Sequence, residues 1–128
     1  ARLLVRHAVD GVIATNTTVS RNGLVSPPNV TAEAGGLSGP PVRAPANRAC
    51  QQIFRHIGRR VPIVGVGGIF NADDAYERIR SGATLVQMYT GFIYEGPGAP
   101  AHILRGLAAL LERDGFASVS DAIGVDVR

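Results

Sequence analysis

Three apolar runs, each passing into a polar or glycine-rich turn, constrain the fold of this chain more than any other feature. They are GVIAT at 11–15, VPIVGV at 61–66 and TLVQMY at 84–89. Runs of continuous rather than alternating apolar residues are those of strands buried in a parallel sheet. Between and after them the period changes to that of helices. Residues 45–57 carry Pro45 in a first turn and Gly58 as a stop. About ten residues follow Asn71, a natural N-cap, and end at Gly82. Residues 100–113 place Ile103, Leu104, Leu107, Leu110 and Leu111 on one stripe, with Gly115 after it. The opening ARLLVRHAVDG reads as the end of an amphipathic helix, and residues 19–42, rich in Gly, Pro, Ser and Asn, as an irregular loop.

Alternating strands and helices predict an α/β fold with parallel strands covered by helices. Three strands alone leave two open edges. The eight-stranded βα barrel that best matches these units needs about 250 residues, against 128 here. The expectation is therefore three consecutive units of a (β/α)8 TIM barrel, a fragment rather than a complete barrel. Residues 1–128 would form one partial domain whose upstream units are absent.

Composition removes several functions. All 13 basic residues are Arg, so the chain has no lysine for a P-loop or for Schiff-base chemistry. The arginines are spread along the chain and only Arg59 and Arg60 adjoin, which argues against nucleic acid as a partner. The single Cys50 allows no internal disulfide; it shares helical spacing with Ile53, Phe54 and Ile57 and is expected in the core. His7, His56 and His102 fall on expected helices without metal-ligand spacing, so no metal is expected. The longest uncharged stretch, Ser81 to Tyr94, is too short and too polar to span a bilayer, and no secretory signal opens the chain.

Each strand ends in a cluster suited to a ligand: TNTT at 15–18, GVGG at 65–68 and YTG at 89–91, with GGLSG at 35–39 in the loop after the first strand. In parallel α/β folds the ligand lies at the carboxyl ends of the strands. Phosphate is held well by backbone amides at a helix N-terminus, and glycine lets the backbone approach. Gly67 and Gly68, placed before the Asn71 helix, suit that role, with Gly39 closing the cradle and Thr90 adding a hydroxyl. Taken singly, each cluster also has a plain structural reading: a tight βα turn, a flexible loop, an Asx turn or cap at Asn16 and Thr17, and packing for Tyr89.

DGVIATNTT at 10–18, GGLSG at 35–39, VPIVGVGGI at 61–69, SGATLVQMYTGFIYEGP at 81–97 and GFASVSDAIG at 115–124 together closely resemble the C-terminal part of the quinone-dependent class of dihydroorotate dehydrogenase. The resemblance runs over essentially the whole chain. It implies the last three units of an FMN-binding βα barrel that oxidises dihydroorotate to orotate in pyrimidine biosynthesis and passes the electrons to a quinone. By motif, Thr15 would contact the flavin, Asn16 and Thr17 the pyrimidine, and Gly39, Gly68, Tyr89 and Thr90 the FMN phosphate. The intact enzyme would be cytoplasmic and peripheral to the inner membrane.

In that class the catalytic base is a Ser, a Lys lies beside the flavin, and an N-terminal helical extension meets membrane and quinone. All three are expected upstream of residue 1, since Ser38 lies in the phosphate loop and Ser118 in the tail. No catalytic residue is therefore assigned within these residues, and the chain alone is expected to be inactive and, through its open edges, to self-associate. Two other readings stay open: a different phosphate-binding βα barrel enzyme, and a non-catalytic module for phosphate ligands.

Overall fold

The structure, a computed structural model, describes residues 2–128. Its elements are α1 (Arg2–Arg6), β1 (Val12–Ala14), α2 (Pro28–Thr31), a 3-10 turn (Pro40–Val42), α3 (Arg43–Ile57), β2 (Ile63–Val66), α4 (Ala72–Arg80), β3 (Leu85–Gln87), α5 (Thr90–Glu95), α6 (Ala99–Arg113) and α7 (Val119–Ala122). The strands form one parallel sheet in the order β1-β2-β3, with Ile13 beside Val64 and Val64 beside Leu85. The α/β class and the parallel sheet are as expected.

Helices cover one face of the sheet. Cys50 and Ile57 of α3 pack with Val61, Ile63 and Ala83, while Tyr76 and Ile79 of α4 pack with Leu107 of α6 and with Ala122 and Ile123. Burial pushes the Cys50 thiol up to about 11, which makes it a core residue rather than a nucleophile. The opposite face is bare: Ile13 is 67% exposed and Leu85 60%. His7, His56 and His102 are all exposed.

Several local expectations are corrected. The 19–42 loop contains α2, and the 3-10 turn moves the start of α3 forward to Arg43. Leu104 is 65% exposed, because the buried residues of α6 are Ala99, Ile103 and Leu107. The short helices α5 and α7 were not expected. A capping box in which Ser118 and Asp121 exchange hydrogen bonds starts α7.

The C-terminal tail is clasped rather than loose. Arg80 grips Asp126 with two bonds of 2.8 and 2.6 Å and reaches Asp114 at 3.2 Å. The Tyr76 hydroxyl donates to Asp114 at 2.8 Å. Arg113, then Tyr76, hold the Asp114 carboxyl down to about 2, and Arg80 lowers that of Asp126. Carboxyls depressed by folding contribute stability that is complete above their unfolded pKa and lost as pH falls through the folded one. The melting temperature is therefore expected to hold down to about pH 4 and to fall towards pH 2, less steeply in Arg80→Gln. Equal slopes in the two proteins over that window would contradict the clasp.

Candidate functional site at the carboxyl ends of the strands

The four clusters meet. One cavity of about 160 Å³ is lined by Thr15, Asn16 and Thr17 after β1, Ser38 and Gly39 before the 3-10 turn, Gly67, Gly68 and Ile69 after β2, and Tyr89, Thr90 and Gly91 after β3. Complete ligand pockets run to roughly 300–1,000 Å³, so this one has room for a group such as a phosphate rather than for a whole nucleotide cofactor.

Close loop packing builds the cavity. Thr18 and Leu37 exchange backbone bonds of 3.0 and 2.7 Å, tying the TNTT loop to the GGLSG loop. A Cβ on Gly36 would lie 1.8 Å from the Thr17 hydroxyl, so only glycine fits there. Arg21 fastens the same loops, donating to the carbonyls of Thr18 and Gly35. On the other side a Cβ on Gly91 would fall 2.2 Å from the Ile69 carbonyl oxygen, and the start of α5 consequently lies against the glycine turn.

Gly39, Gly67 and Gly68 all have positive φ, at 79°, 106° and 72°. Their surroundings differ. A Cβ on Gly68 would strike the backbone of Arg43 at 2.7 Å, whereas one on Gly39 would come no nearer than 3.5 Å to Thr90 Cγ2 and 3.9 Å to Phe70 Cζ. Among the described residues, the amides of Gly39, Gly67, Gly68 and Ile69 have no hydrogen-bond acceptor. Free amides around a polar opening are what an anion needs. The Thr90 hydroxyl joins them, donating to Ser38 Oγ at 2.9 Å.

The helix expected to supply the dipole does not do so. Asn71 caps α4 by accepting from the Asp74 amide at 2.9 Å, and Asp74 accepts from the Phe70 amide at 3.0 Å. With Asp73 and Asp74 in its first turn, the N-terminus of α4 is already filled with negative charge. The helix that opens onto the cavity is α5, through Thr90 and Gly91. Among the described residues no charged side chain lines the cavity. The nearby Arg43 is ion-paired with the buried Asp74, which raises its pKa.

On the β1 side of the cavity, Asn16 is exposed and its Oδ1 accepts from the Thr17 amide at 2.8 Å, an Asx-type contact. Its amide nitrogen stays free for a ligand. Sequence reasoning missed Arg78, which lies fully buried beneath the glycine turn. Its only advance signal was Gly65, the one glycine within β2, where a Cβ would lie 2.5 Å from Arg78 Cγ. Among the described residues no cluster of His, Cys, Asp or Glu could hold a metal, and no helix is long and apolar enough to cross a membrane.

A parallel sheet covered by helices, with a glycine-lined cavity at the carboxyl ends of its strands, defines an α/β chain. Residues 1–111 match the family model for dihydroorotate dehydrogenase, and the chain belongs to that family. It is 53% identical over 129 residues to a quinone-linked dihydroorotate dehydrogenase of Thermobifida fusca, and 49% identical over 127 residues to one of Parvibaculum lavamentivorans. Those alignments take in 99% of this chain but only 34% and 36% of the relatives. Its fold matches the ligand-free dihydroorotate dehydrogenase of Eimeria tenella with a TM-score of 0.92 and 37% identity, covering 100% of this chain and 35% of that one. The chain thus spans about a third of the proteins it resembles.

Proposed function

We propose that residues 1–128 are the C-terminal three βα units of a (β/α)8 barrel, and that they supply part of the FMN and substrate site of a quinone-linked dihydroorotate dehydrogenase. The observation that carries this reading is the convergence of Thr15 to Thr17, Gly39, Gly67, Gly68 and Tyr89 to Gly91 on one cavity with free backbone amides. Bound FMN would accept the hydride that dihydroorotate gives up as it becomes orotate. The residues of this chain hold and orient. The amides of Gly39 and Gly68, with Tyr89 and Thr90, would hold the phosphate; Thr15 would contact the flavin, and Asn16 and Thr17 would hydrogen-bond the pyrimidine.

The remaining barrel would cover the bare face on which Ile13, Val64 and Leu85 stand side by side. Burying that face is worth about 25 cal/mol per Å² of apolar surface. A stand-alone binding module would leave it in water, so the larger enzyme is the better reading. Quinone and the inner-membrane surface would be met by a segment outside residues 1–128, with the enzyme otherwise cytoplasmic.

The test is a fluorescence titration of the flavin-free intact enzyme with FMN and with riboflavin, which lacks only the phosphate. A charged group held by several amides is worth a few kcal/mol, so FMN is expected to bind at least about a hundredfold more tightly. Equal affinities would remove the phosphate cradle from the reading.

A further inference from the structure

We infer that Arg78 is a positioning residue for the phosphate cradle: from beneath the glycine turn it aims the free amides at the ligand and places an unpaired positive charge behind them. The inference rests on the cradle reading above and extends it to a residue outside the cavity.

The geometry is specific. Arg78 Nη1 donates to the Val66 carbonyl at 2.9 Å and Nη2 to the Gly67 carbonyl at 2.8 Å. Nη2 also reaches the Arg43 carbonyl at 3.4 Å, and Nε donates to the buried Asn47 Oδ1. In a trans peptide the C=O and the next N–H point in opposite directions. Holding the Val66 and Gly67 carbonyls therefore turns the amides of Gly67 and Gly68 away from Arg78. Those two glycines line the cavity and Arg78 does not, so the fork acts on the cradle through two peptide planes. The same contacts fix a turn that two glycines would otherwise leave free.

The charge is equally informative. All four bonds of this guanidinium end on neutral oxygens, and among the described residues no carboxylate pairs with it, as Asp74 does with Arg43, Asp114 and Asp126 with Arg80, and Asp114 with Arg113. Burial lowers its pKa, yet a guanidinium stays protonated in proteins. A buried cation lacking a carboxylate is costly. A phosphate on the far side of the Gly67–Gly68 peptides would offset that cost, and the low dielectric around Arg78 would strengthen the attraction.

The experiment uses the intact enzyme stripped of flavin and measures FMN and riboflavin affinities for the wild type, Arg78→Met, Arg78→Gln and Arg78→Lys, with a thermal melt of each. A merely structural role would weaken both ligands together. The inference predicts that Arg78→Met and Arg78→Gln lower the FMN-to-riboflavin affinity ratio by about tenfold to a hundredfold, the worth of charge-assisted contacts. Arg78→Lys, which keeps a cation and donors, is expected to retain most of it. If Arg78→Met does not fold, Arg78→Gln decides. Folded neutral variants that keep the wild-type ratio within about twofold would overturn the inference while leaving the cradle intact. A wild-type ratio near one would instead overturn the cradle, and this inference with it.

Discussion

Gly68→Ala is expected to destroy FMN binding and to destabilise the chain far more than Gly39→Ala does, although both glycines have positive φ. Two costs meet at Gly68. A side chain at φ 72° is strained, by roughly 1–3 kcal/mol. Its Cβ would also strike the Cα and amide nitrogen of Arg43 at 2.7 Å. These are backbone atoms at the start of α3, so relief requires moving a helix, and overpacking of that kind costs roughly 1–3 kcal/mol more. The displaced turn would carry the Gly68 amide with it, removing a donor from the cavity. At Gly39 the strain is similar but the nearest atom is Thr90 Cγ2 at 3.5 Å, an ordinary contact. Urea melts and FMN titrations of both variants check this. Equal losses of stability would show that the Arg43 contact carries no energy.

That contrast also marks what was legible in the sequence. Glycine clusters at strand ends announced where a cavity would form, because the parallel architecture sends every strand end to one side of the sheet. Which glycine has no room was not legible, since Arg43 is 25 residues away in the chain and meets Gly68 only after folding. The dipole was misplaced for a related reason. Asn71 looked like a helix-start residue, and it is, but its cap takes the Asp74 amide and the carboxylates of Asp73 and Asp74 already sit in the first turn, so that end of α4 disfavours a further anion. Arg78 looked like one more charged residue on an amphipathic helix. Its burial follows from Gly65 on β2, where the absence of a side chain leaves room for the Arg78 stem. Leu104 failed in the opposite direction: it fits the α6 stripe, yet it stays 65% exposed. The box that starts α7 was readable from Ser118 and Asp121 alone.

The 128-residue chain by itself is expected to show no turnover of dihydroorotate above a protein-free blank, even with FMN added. Removing a proton from carbon needs a base within about 2.6–3.2 Å of it. Among the described residues, the only titratable side chain lining the cavity is Tyr89, which is 74% exposed. Ser38 is present, but its Oγ accepts from Thr90 at 2.9 Å, and among the described residues no His, Asp, Glu or Lys lines the cavity to activate it. Orientation alone cannot replace that group, because general-base catalysis contributes about 10²–10⁴-fold and the substrate would also lack one wall of its site. The physical state of the same chain should reveal the missing wall. Edge strands β1 and β3 have unpaired backbone groups, and Ile13 and Leu85 stand exposed on the bare face of the sheet, so association through edges and face is favoured. Light scattering on the isolated chain is expected to give a mass above 13.4 kDa. A monodisperse monomer, or measurable orotate formation in a dye-reduction assay, would mean that these residues complete a site and a surface on their own, and the partial-barrel reading would have to be given up.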